Sequence, residues 1–444
     1  MNVRESLQRR GASAARWFQV SDARGPEVAS RVGIALGSAI LICFITGLLS
    51  HWIQHPPTWF WWPAHPVWLY RLTQGLHVIS GVAAIPPLLV KLWAVYPRLF
   101  QRPVIGSPLR MLERGSIALL VGAILFELST GLLNIAQYYP WKFFFPPAHY
   151  AVAFVAIGAL AVHLAVKLPV IREALSRPLD SNPPPTPNPN TTRTPHLSQG
   201  PASASDRDVV SAPNPAPDSA AALASAVGAG LDRVEAVNTD SDPVGPRHVS
   251  RRTVLTAAWV SAGVAALAVA GQTVPALRWA AVLAPRSGEG PQGVPVNRSA
   301  AAAGVVELAR AADYRLTVLV GDRRRSFTRE ELLAMPQAHA RLPIACVEGW
   351  SASADWSGVR LRDLLAAVGA YPGGDVHFRS LETSGIYANS VLPHRHVVDA
   401  DTLVALSLNG ATLDVDHGYP CRLIAPSRPG VLQTKWLSTI EARA

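Results

Sequence analysis

Long apolar runs separated by short polar or aromatic stretches dominate the first 170 residues of the chain. Each run reaches the length of about 20 residues that a membrane-spanning helix needs. The third run is interrupted only by Glu127, and a fifth, rich in Ala and Gly, follows much later. The runs cover residues 32–50, 72–90, 116–137, 148–166 and 253–277. We therefore expect an all-α four-helix membrane bundle followed by a fifth transmembrane helix.

The basic residues beside these runs predict the orientation of the chain in the membrane. Arg residues are frequent before the first run, and Lys or Arg follow the second and fourth runs. The segments after the first and third runs have only Arg71 and Lys142. Because cytoplasmic loops carry the excess of Lys and Arg, the N-terminus is predicted to be cytoplasmic. The protein is then a multi-pass protein of the cell (plasma or inner) membrane, with an extracytoplasmic C-terminal domain.

The composition agrees with a lipid bilayer as the partner of this chain. Its 444 residues are 49% hydrophobic and only 16% charged, whereas soluble proteins are about 25% charged. This excludes an ordinary soluble enzyme. The net charge is +10, but the basic residues lie beside apolar runs, so no nucleic-acid partner is expected.

The pattern divides the chain into five parts. A stretch rich in Pro, Ser and Ala separates the fourth and fifth runs, and it has too few apolar residues for a core. We expect a cytoplasmic N-terminal segment, a four-helix membrane domain, a disordered cytoplasmic linker, a signal anchor and an extracytoplasmic domain. Their predicted bounds are 1–30, 31–172, 173–250, 251–280 and 290–444.

The fifth run begins with Ser250-Arg251-Arg252-Thr253-Val254-Leu255. This sequence resembles the twin-arginine export motif, with Val in place of the commoner Phe, and it implies the twin-arginine export machinery as a partner. An uncleaved anchor is expected. The alternative is that Arg251 and Arg252 are only the basic residues on the cytoplasmic side of a membrane helix.

The C-terminal part alternates between strand and helix patterns. Tyr314–Val320, Val376–Phe378, Leu403–Leu408 and Cys421–Ala425 are predicted strands, and Val359–Val368 has helical spacing. Thr328 and Glu331 have the spacing of a helix capping box. A mixed α+β domain is expected.

From residue 342 onward the sequence resembles the molybdopterin-binding domain of the sulfite oxidase family. The blocks LPIACVEGWSASADWSGVRLRDLL, SLETSGIY and LVALSLNGATLDVDHGYPCRLIAPSRPGVLQTKWLSTIE carry the resemblance. That family includes the bacterial periplasmic methionine-sulfoxide reductase. The resemblance implies a sulfite-oxidase-type fold, a molybdenum–molybdopterin cofactor and oxidoreductase activity. It makes Cys346 the thiolate ligand of molybdenum and the catalytic residue, and thiolates suit such soft metals.

The same resemblance implies a set of residues that contact the pterin and its phosphate. Phosphate needs cations and backbone N–H donors, and a Gly allows close backbone approach. The cofactor-binding residues are expected to be Thr383, His417, Arg422, Gly430, Lys435 and, from a weaker upstream match, Asn297 with Arg298. Glu382, Tyr387, His394 and His396 are candidates for the substrate mouth, with a structural role as the alternative.

Three His in the membrane runs predict haem. His77 lies in the second run, and His149 and His163 lie in the fourth, fourteen residues apart and nearly on one helix face. This arrangement resembles the membrane cytochrome b subunits of formate dehydrogenases and hydrogenases, and bacterial cytochrome b561. A His that only bonds between helices is the alternative.

The depth of each His selects the haem ligands. Counted from Lys91 and Lys167, His77 and His149 lie at similar depths, whereas His163 lies about 21 Å deeper than His149. We predict one haem b, with its iron bound by His77 and His149. A second haem would need an unseen partner for His163. Glu127 is a candidate for proton transfer with a quinone, or for a structural hydrogen bond.

These features predict a membrane-bound oxidoreductase. Electrons would pass between quinone or quinol and an extracytoplasmic molybdopterin centre through haem b, and the substrate would be a sulfoxide or a small oxyanion. One alternative is that the membrane domain is only an anchor and a soluble partner supplies electrons. A further alternative is a non-catalytic redox sensor.

Overall fold

The computed structural model describes residues 22–99, 108–143, 145–179, 249–283 and 290–443. The predicted N-terminal segment up to residue 21 lies outside the described residues. So does the predicted linker from residue 180 to residue 248.

Five helices are long and apolar enough to cross a membrane, as the sequence predicted. Each of the first four extends several residues beyond its apolar run. Large apolar side chains such as Leu41 and Val264 are exposed on their surfaces, which suits contact with lipid. The helices are α1 (Pro26–Gln54), α2 (Leu69–Leu99), α3 (Pro108–Ile135), α4 (Phe145–Ser176) and α5 (Arg251–Ala270).

Helix α1 packs against α2 and α4, α3 packs against α4, and α5 lies along α2. All four of the first helices contribute to one apolar core. Its members are Leu36, Ala84, Leu88, Leu120, Ile124 and Ala159.

Charged side chains collect at one end of the helices. Glu27 at the start of α1 is buried and faces guanidinium groups of Arg177 and Arg251 at 3.8 Å each. Lys167 pairs with Glu113 near the same end. The opposite end carries aromatic side chains and contacts the C-terminal domain, as described below.

The C-terminal domain contains two five-stranded sheets. In the first sheet the order is β2-β1-β10-β5-β6, and in the second β3-β4-β7-β8 with β9 also paired to β7. The strands are β1 (Leu316–Val320), β2 (Arg323–Phe327), β3 (Gln337–Ala345), β4 (Ser351–Arg360), β5 (Val376–Ser380), β6 (Asn389–Leu392), β7 (Leu403–Leu408), β8 (Ala411–Thr412), β9 (Arg422–Ile424) and β10 (Leu437–Ala442).

The described part of this domain also contains five short α-helices, of which the first two precede β1 and the other three connect strands. They are α6 (Ala300–Ala303), α7 (Val306–Arg310), α8 (Arg329–Ala334), α9 (Leu361–Ala366) and α10 (His394–Val397). The predicted capping box at the start of α8 is confirmed, because Thr328 and Glu331 bond each other's backbone N–H groups. The helix predicted from Val359 begins instead at Leu361, since Val359 and Arg360 end β4.

The long hairpin of β3 and β4 positions the candidate site. Its strands pair in register from Gln337 with Val359 to Ala345 with Ser351. Five residues, 346–350, therefore form the turn. Buried and exposed residues alternate along much of β3 and β4, and many of them are small residues such as Ala and Ser.

Candidate functional site

Cys346 is the first residue of the hairpin turn. Its N–H donates a 2.9 Å hydrogen bond to the carbonyl of Trp350, and its own carbonyl accepts one of 3.0 Å from Gly349. Gly349 has φ +98°, a conformation that favours glycine. The Cys346 side chain is only 2% exposed. The turn thus holds one thiol in a defined, nearly dry place.

This turn lies against the apolar helices. The side-chain amide of Gln74 in α2 donates a 3.0 Å hydrogen bond to the carbonyl oxygen of Val347. Asn134 near the end of α3 donates to the same oxygen at 3.4 Å. A Cβ placed on Gly349 would lie 2.8 Å from a methyl carbon of Val78. Only glycine therefore allows the turn to approach α2 this closely.

The connection between α1 and α2 covers the site from the same side. Ile53 and Tyr70 are both 1% exposed and pack with Ala345, the residue before Cys346. Trp62 donates from its indole nitrogen to the carbonyl of Ser427 at 2.9 Å. These contacts place apolar and aromatic side chains of the helical part directly over the β3–β4 turn.

Further polar contacts join the two parts. Arg71 donates to the hydroxyl of Ser353 at 3.0 Å, and Ser351 donates to the carbonyl of Gln272 at 2.7 Å. Arg428 reaches from the C-terminal domain to the carbonyl of Ile53 at 3.5 Å. The start of β4 is thus bonded to residues at the ends of both α2 and α5.

Two buried cations, Lys435 and Arg422, interact with each other, and Lys435 also interacts electrostatically with Cys346. Lys435 donates to the side-chain oxygen of Asn297 at 3.2 Å and to the carbonyl of Asp416 at 2.9 Å. Arg422 donates to the carbonyls of His417 and Gln433 at 3.0 and 3.1 Å. These acceptors are neutral, and neither cation forms a salt bridge with a carboxylate among the described residues.

Burial makes both cations costly in the absence of an anion. It lowers the pKa of Lys435 to about 7, with Arg422 adding to the shift, and lowers the pKa of Arg422 to about 9. A buried charge is stable only when it is paired. A phosphate would supply that pairing through charge-assisted hydrogen bonds. The residues present therefore fit the phosphate of a pterin cofactor.

His417 is held as a neutral acceptor beside these cations. Its Nε2 lies 2.7 Å from the carbonyl oxygen of Pro291, so Nε2 carries the proton and donates it. Burial lowers the pKa of the ring to about 4. The ring is neutral near pH 7 and presents Nδ1 as a hydrogen-bond acceptor.

The other residues predicted to contact the pterin do not all lie with Lys435 and Arg422. Arg298 pairs with Glu382 at 2.8 Å, next to the Asn297–Lys435 contact. Gly430 lies against the backbone of Ala345, where a Cβ would meet the carbonyl at 3.4 Å. Thr383 is exposed on the connection between β5 and β6. Asn297, His417, Arg422 and Lys435 thus form one cluster, with Gly430 beside the Cys346 turn and Thr383 at the surface.

Among the candidates for the substrate mouth, Tyr387 interacts electrostatically with Cys346. Burial raises the pKa of its hydroxyl, and Cys346, Glu348 and Tyr139 raise it further. The hydroxyl thus keeps its proton and can donate to an oxygen of a bound molecule. His394 instead stacks on Tyr371 with ring centres 5.6 Å apart.

His396 is buried inside the C-terminal domain. It is 1% exposed and interacts electrostatically with Arg428. Burial, then Arg428, lowers the pKa of its ring to about 3. The ring is therefore neutral and part of the buried packing.

His77 and His149 face each other between the helices. Their ring centres are 6.3 Å apart. Nδ1 of His77 lies 3.0 Å from the carbonyl of Cys43, and Nδ1 of His149 lies 3.0 Å from the hydroxyl of Thr130. The carbonyl of Cys43 fixes the proton of His77 on Nδ1 and leaves its Nε2 as an acceptor that can bind a metal. Nε2 of His149 instead donates to the Glu127 carboxylate at 3.0 Å. Two imidazoles bound to one metal by bonds of about 2 Å have ring centres about 6 Å apart.

Two glycines leave room beside these rings. A Cβ on Gly47 would lie 3.1 Å from His77, and a Cβ on Gly131 would lie 3.9 Å from His149. The absence of side chains at these glycines leaves the two imidazole rings their space. For Nε2 of His149 to bind a metal, its contact with Glu127 would have to break.

His163 lies apart from that pair. It interacts electrostatically with Lys91, Lys167 and Glu113, which are near the charged end of the helices. Its Nδ1 is buried without a hydrogen-bond partner in the described part of the chain. The structure thus places His163 in different surroundings from His77 and His149, as its sequence position predicted.

The other two cysteines have local partners. Sγ of Cys421 lies 3.2 Å from the hydroxyl of Tyr314 in the domain core, and burial raises the pKa of this thiol to about 12. Sγ of Cys43 lies 3.1 Å from the hydroxyl of Ser80. Both are consistent with structural roles.

Gln74 and Asn134 were missed at the sequence level. The sequence did carry an indication, because each is an amide side chain in a predicted membrane-spanning helix and Gln74 precedes His77 by three positions. Polar side chains inside membrane helices need partners. The identity of the partner, a backbone carbonyl 273 residues away for Gln74, could not be read from the sequence.

Comparison with known proteins agrees with this chemistry. The family model of the oxidoreductase molybdopterin binding domain matches residues 303–444. A putative protein-methionine-sulfoxide reductase subunit, YedZ1 of Azospira oryzae, is 33% identical over 132 residues, which are 29% of this chain and 49% of that protein. Mitochondrial sulfite oxidase of Drosophila melanogaster is 30% identical over 154 residues, covering 29% of this chain and 27% of that one.

A solved structure, the sulfane dehydrogenase SoxCD of Paracoccus pantotrophus, is 27% identical and covers 29% of this chain and 38% of its own, with a TM-score of 0.27. The chain spans about half or less of the length of these relatives. Its C-terminal part is a molybdopterin-binding oxidoreductase domain that resembles sulfite oxidase.

Proposed function

We propose that this chain is a membrane-bound molybdenum oxidoreductase that exchanges electrons with the quinone pool and acts on a sulfoxide or a small oxyanion. The observation that carries the proposal is the contact between the Cys346 turn and α2. Gln74 and Val78, which flank His77 on that helix, contact Val347 and Gly349 of the turn. One polypeptide therefore brings a candidate haem site and a candidate molybdenum site together.

Each cofactor has a set of residues that would hold it. Cys346 would bind molybdenum, and Asn297, His417, Arg422 and Lys435 would hold the pterin and its phosphate, with Thr383 and Gly430 at the edge of the site. His77 and His149 would hold one haem b. When bound, these groups supply oxygen-atom transfer and one-electron exchange respectively.

The residues around the thiol suit a small oxygen-bearing substrate. Tyr387 keeps its proton and can donate to a sulfoxide or oxyanion oxygen, while Arg298 brings positive charge to the same side. Reduction of a sulfoxide to a sulfide consumes two electrons and two protons and releases water. Oxidation of one quinol to quinone supplies the two electrons and the two protons. The relative named as a sulfoxide reductase subunit supports this direction. The relatives named as sulfite oxidases make oxidation of a sulfite-like donor the alternative.

The distribution of charge supports an extracytoplasmic C-terminal domain. Glu27, Arg251 and Lys167 lie at the end of the helices away from that domain. Aromatic residues that settle at membrane interfaces, such as Trp59 and Trp62, lie at the end next to it. Arg251 and Arg252 begin α5, so a twin-arginine signal would stand at the cytoplasmic end of an anchor. The four helices α1–α4 would form the haem-binding bundle.

A substrate panel on the purified full-length chain tests this function. Reduced viologen serves as electron donor, and free methionine sulfoxide, dimethyl sulfoxide and small oxyanions serve as acceptors. The proposal expects turnover of at least one of them and a b-type haem band in the same preparation. Turnover without any haem would instead favour an anchored domain served by a soluble partner.

A further inference from the structure

The carbonyl oxygen of Val347 makes polar contacts between the Cys346 turn and the apolar helices. It accepts hydrogen bonds from Gln74 of α2 at 3.0 Å and from Asn134 of α3 at 3.4 Å. Val347 directly follows Cys346 in the chain. The two hydrogen bonds to this oxygen therefore hold the turn on α2 and α3 at the residue next to the thiol.

Gln74 lies on the stretch of α2 that also carries His77. Three residues of helix rise about 4.5 Å and nearly complete one turn, so Gln74 and His77 share a face. Val78 adds the apolar contact to Gly349 on this stretch. The route from His77 to the thiol thus runs through α2, the Gln74 amide and the backbone of the turn.

The Gln74 amide is an expensive feature unless it has this partner. Its side chain is 7% exposed in a helix that is apolar enough to cross a membrane. Burying an amide without a hydrogen bond is unfavourable, and an apolar residue would fill the same space at no such cost. The contact with Val347 gives this amide its partner, and it crosses between the two candidate cofactor sites.

We propose that Gln74, supported by Asn134, is a positioning residue for electron transfer. It holds the Cys346 turn close to the His77 side of α2, and the Gln74–Val347 hydrogen bond is the contact across which electrons pass. This inference rests on the proposed function. One quinol supplies two electrons, and they cross this contact one at a time. Together with two protons, they convert a sulfoxide into a sulfide and water.

The test compares Gln74→Met with the wild-type chain, both full length and carrying both cofactors. The haem is reduced first, dimethyl sulfoxide or methionine sulfoxide is added, and reoxidation of the haem band is followed by stopped flow. Loss of one such hydrogen bond is expected to slow reoxidation about fivefold. Asn134→Leu should slow it less, and the double variant most.

Gln54→Met is the matched control. Gln54 also donates from its side chain to a backbone carbonyl, that of Ser50 at 3.0 Å, but the bond lies within α1. The same substitution there should leave haem reoxidation unchanged. Sulfoxide reduction driven by reduced viologen should fall less than haem reoxidation in Gln74→Met, because viologen delivers electrons without the helices.

A structural measurement completes the test. Hydrogen–deuterium exchange at the amides of Cys346 and Gly349 should be faster in Gln74→Met and unchanged in Gln54→Met. The inference would be overturned if Gln74→Met and Asn134→Leu both showed the same haem reoxidation rate and the same amide exchange rate as the wild-type chain. So would an equal fall in the viologen-driven rate, which would mean damage to the substrate site. A wild-type haem that no sulfoxide reoxidises contradicts the proposed function itself.

Discussion

Nζ of Lys435 lies 3.2 Å from Oδ1 of Asn297, although 138 residues separate them in the chain. Asn297 precedes α6 and Lys435 precedes β10, so the contact joins the beginning and the end of the C-terminal domain beside the candidate pterin site. The acceptors of Lys435 within the protein are neutral oxygens. A cofactor phosphate bound beside Lys435 would favour its protonated form.

The first prediction concerns pH. Because the pKa of Lys435 is lowered to about 7 without an anion, the protonated form is lost as the pH rises through that value. A bound phosphate favours the protonated form and raises the pKa. Retention of the pterin should therefore weaken as the pH increases above about 7.

Release of the fluorescent pterin during dialysis of the full chain measures this retention. Lys435→Arg keeps the positive charge at every accessible pH, so it should remove most of the pH dependence. Equal release from the wild-type chain on both sides of neutral pH would count against an ionisable Lys435 in the site.

The second prediction concerns haem number and ligands. His77→Ala or His149→Ala should each abolish the b-type spectrum, since each removes one side of the facing pair. His163→Ala should leave the spectrum largely intact because His163 lies among Lys91 and Lys167 instead. Pyridine-haemochrome analysis should give one haem per chain. A ratio near two would show that His163 has found another ligand partner.

The third prediction separates the three cysteines. Cys346→Ser should leave a folded chain with pterin bound but reduce turnover to background, because the thiolate ligand is lost. Cys421→Ser and Cys43→Ser serve as controls and should keep activity. Molybdenum analysis and viologen-driven turnover report the outcome, and an active Cys346→Ser variant would remove Cys346 from the catalytic assignment.

The fourth prediction concerns export. Arg251→Lys with Arg252→Lys preserves the positive charge beside Glu27 but destroys a twin-arginine motif. Helices α1–α4 should still insert, while the C-terminal domain stays inside the cell, protected from protease added outside. If that domain is exposed outside the cell as usual in the double variant, the two Arg residues are not an export signal. They would then be only the basic residues on the cytoplasmic side of a membrane helix.

Much of the helical part was readable from the sequence because lipid-facing helices need long apolar runs. The five runs correspond to α1–α5, and the matching depths of His77 and His149 correspond to the facing rings. Both follow from helix length and rise alone. The Thr328 capping box was likewise a local pattern.

The long-range contacts were not readable. The β3–β4 hairpin escaped prediction because small residues carry its alternation, and its turn meets α2 through residues 273 positions apart. His394 and His396 were candidates for the substrate mouth, yet one stacks on Tyr371 and the other packs beside Arg428. Such placements depend on tertiary packing, which a local pattern does not encode.

The most direct test of electron exchange within one chain is the concentration dependence of haem reoxidation. The wild-type chain is purified in detergent, its haem is reduced, excess sulfoxide is added, and the first-order rate constant is measured over a wide range of protein concentration. The account predicts one rate constant at every dilution, and no reoxidation in Cys346→Ser. A rate that falls in proportion to dilution, or that appears only when a soluble redox protein is added, would contradict it.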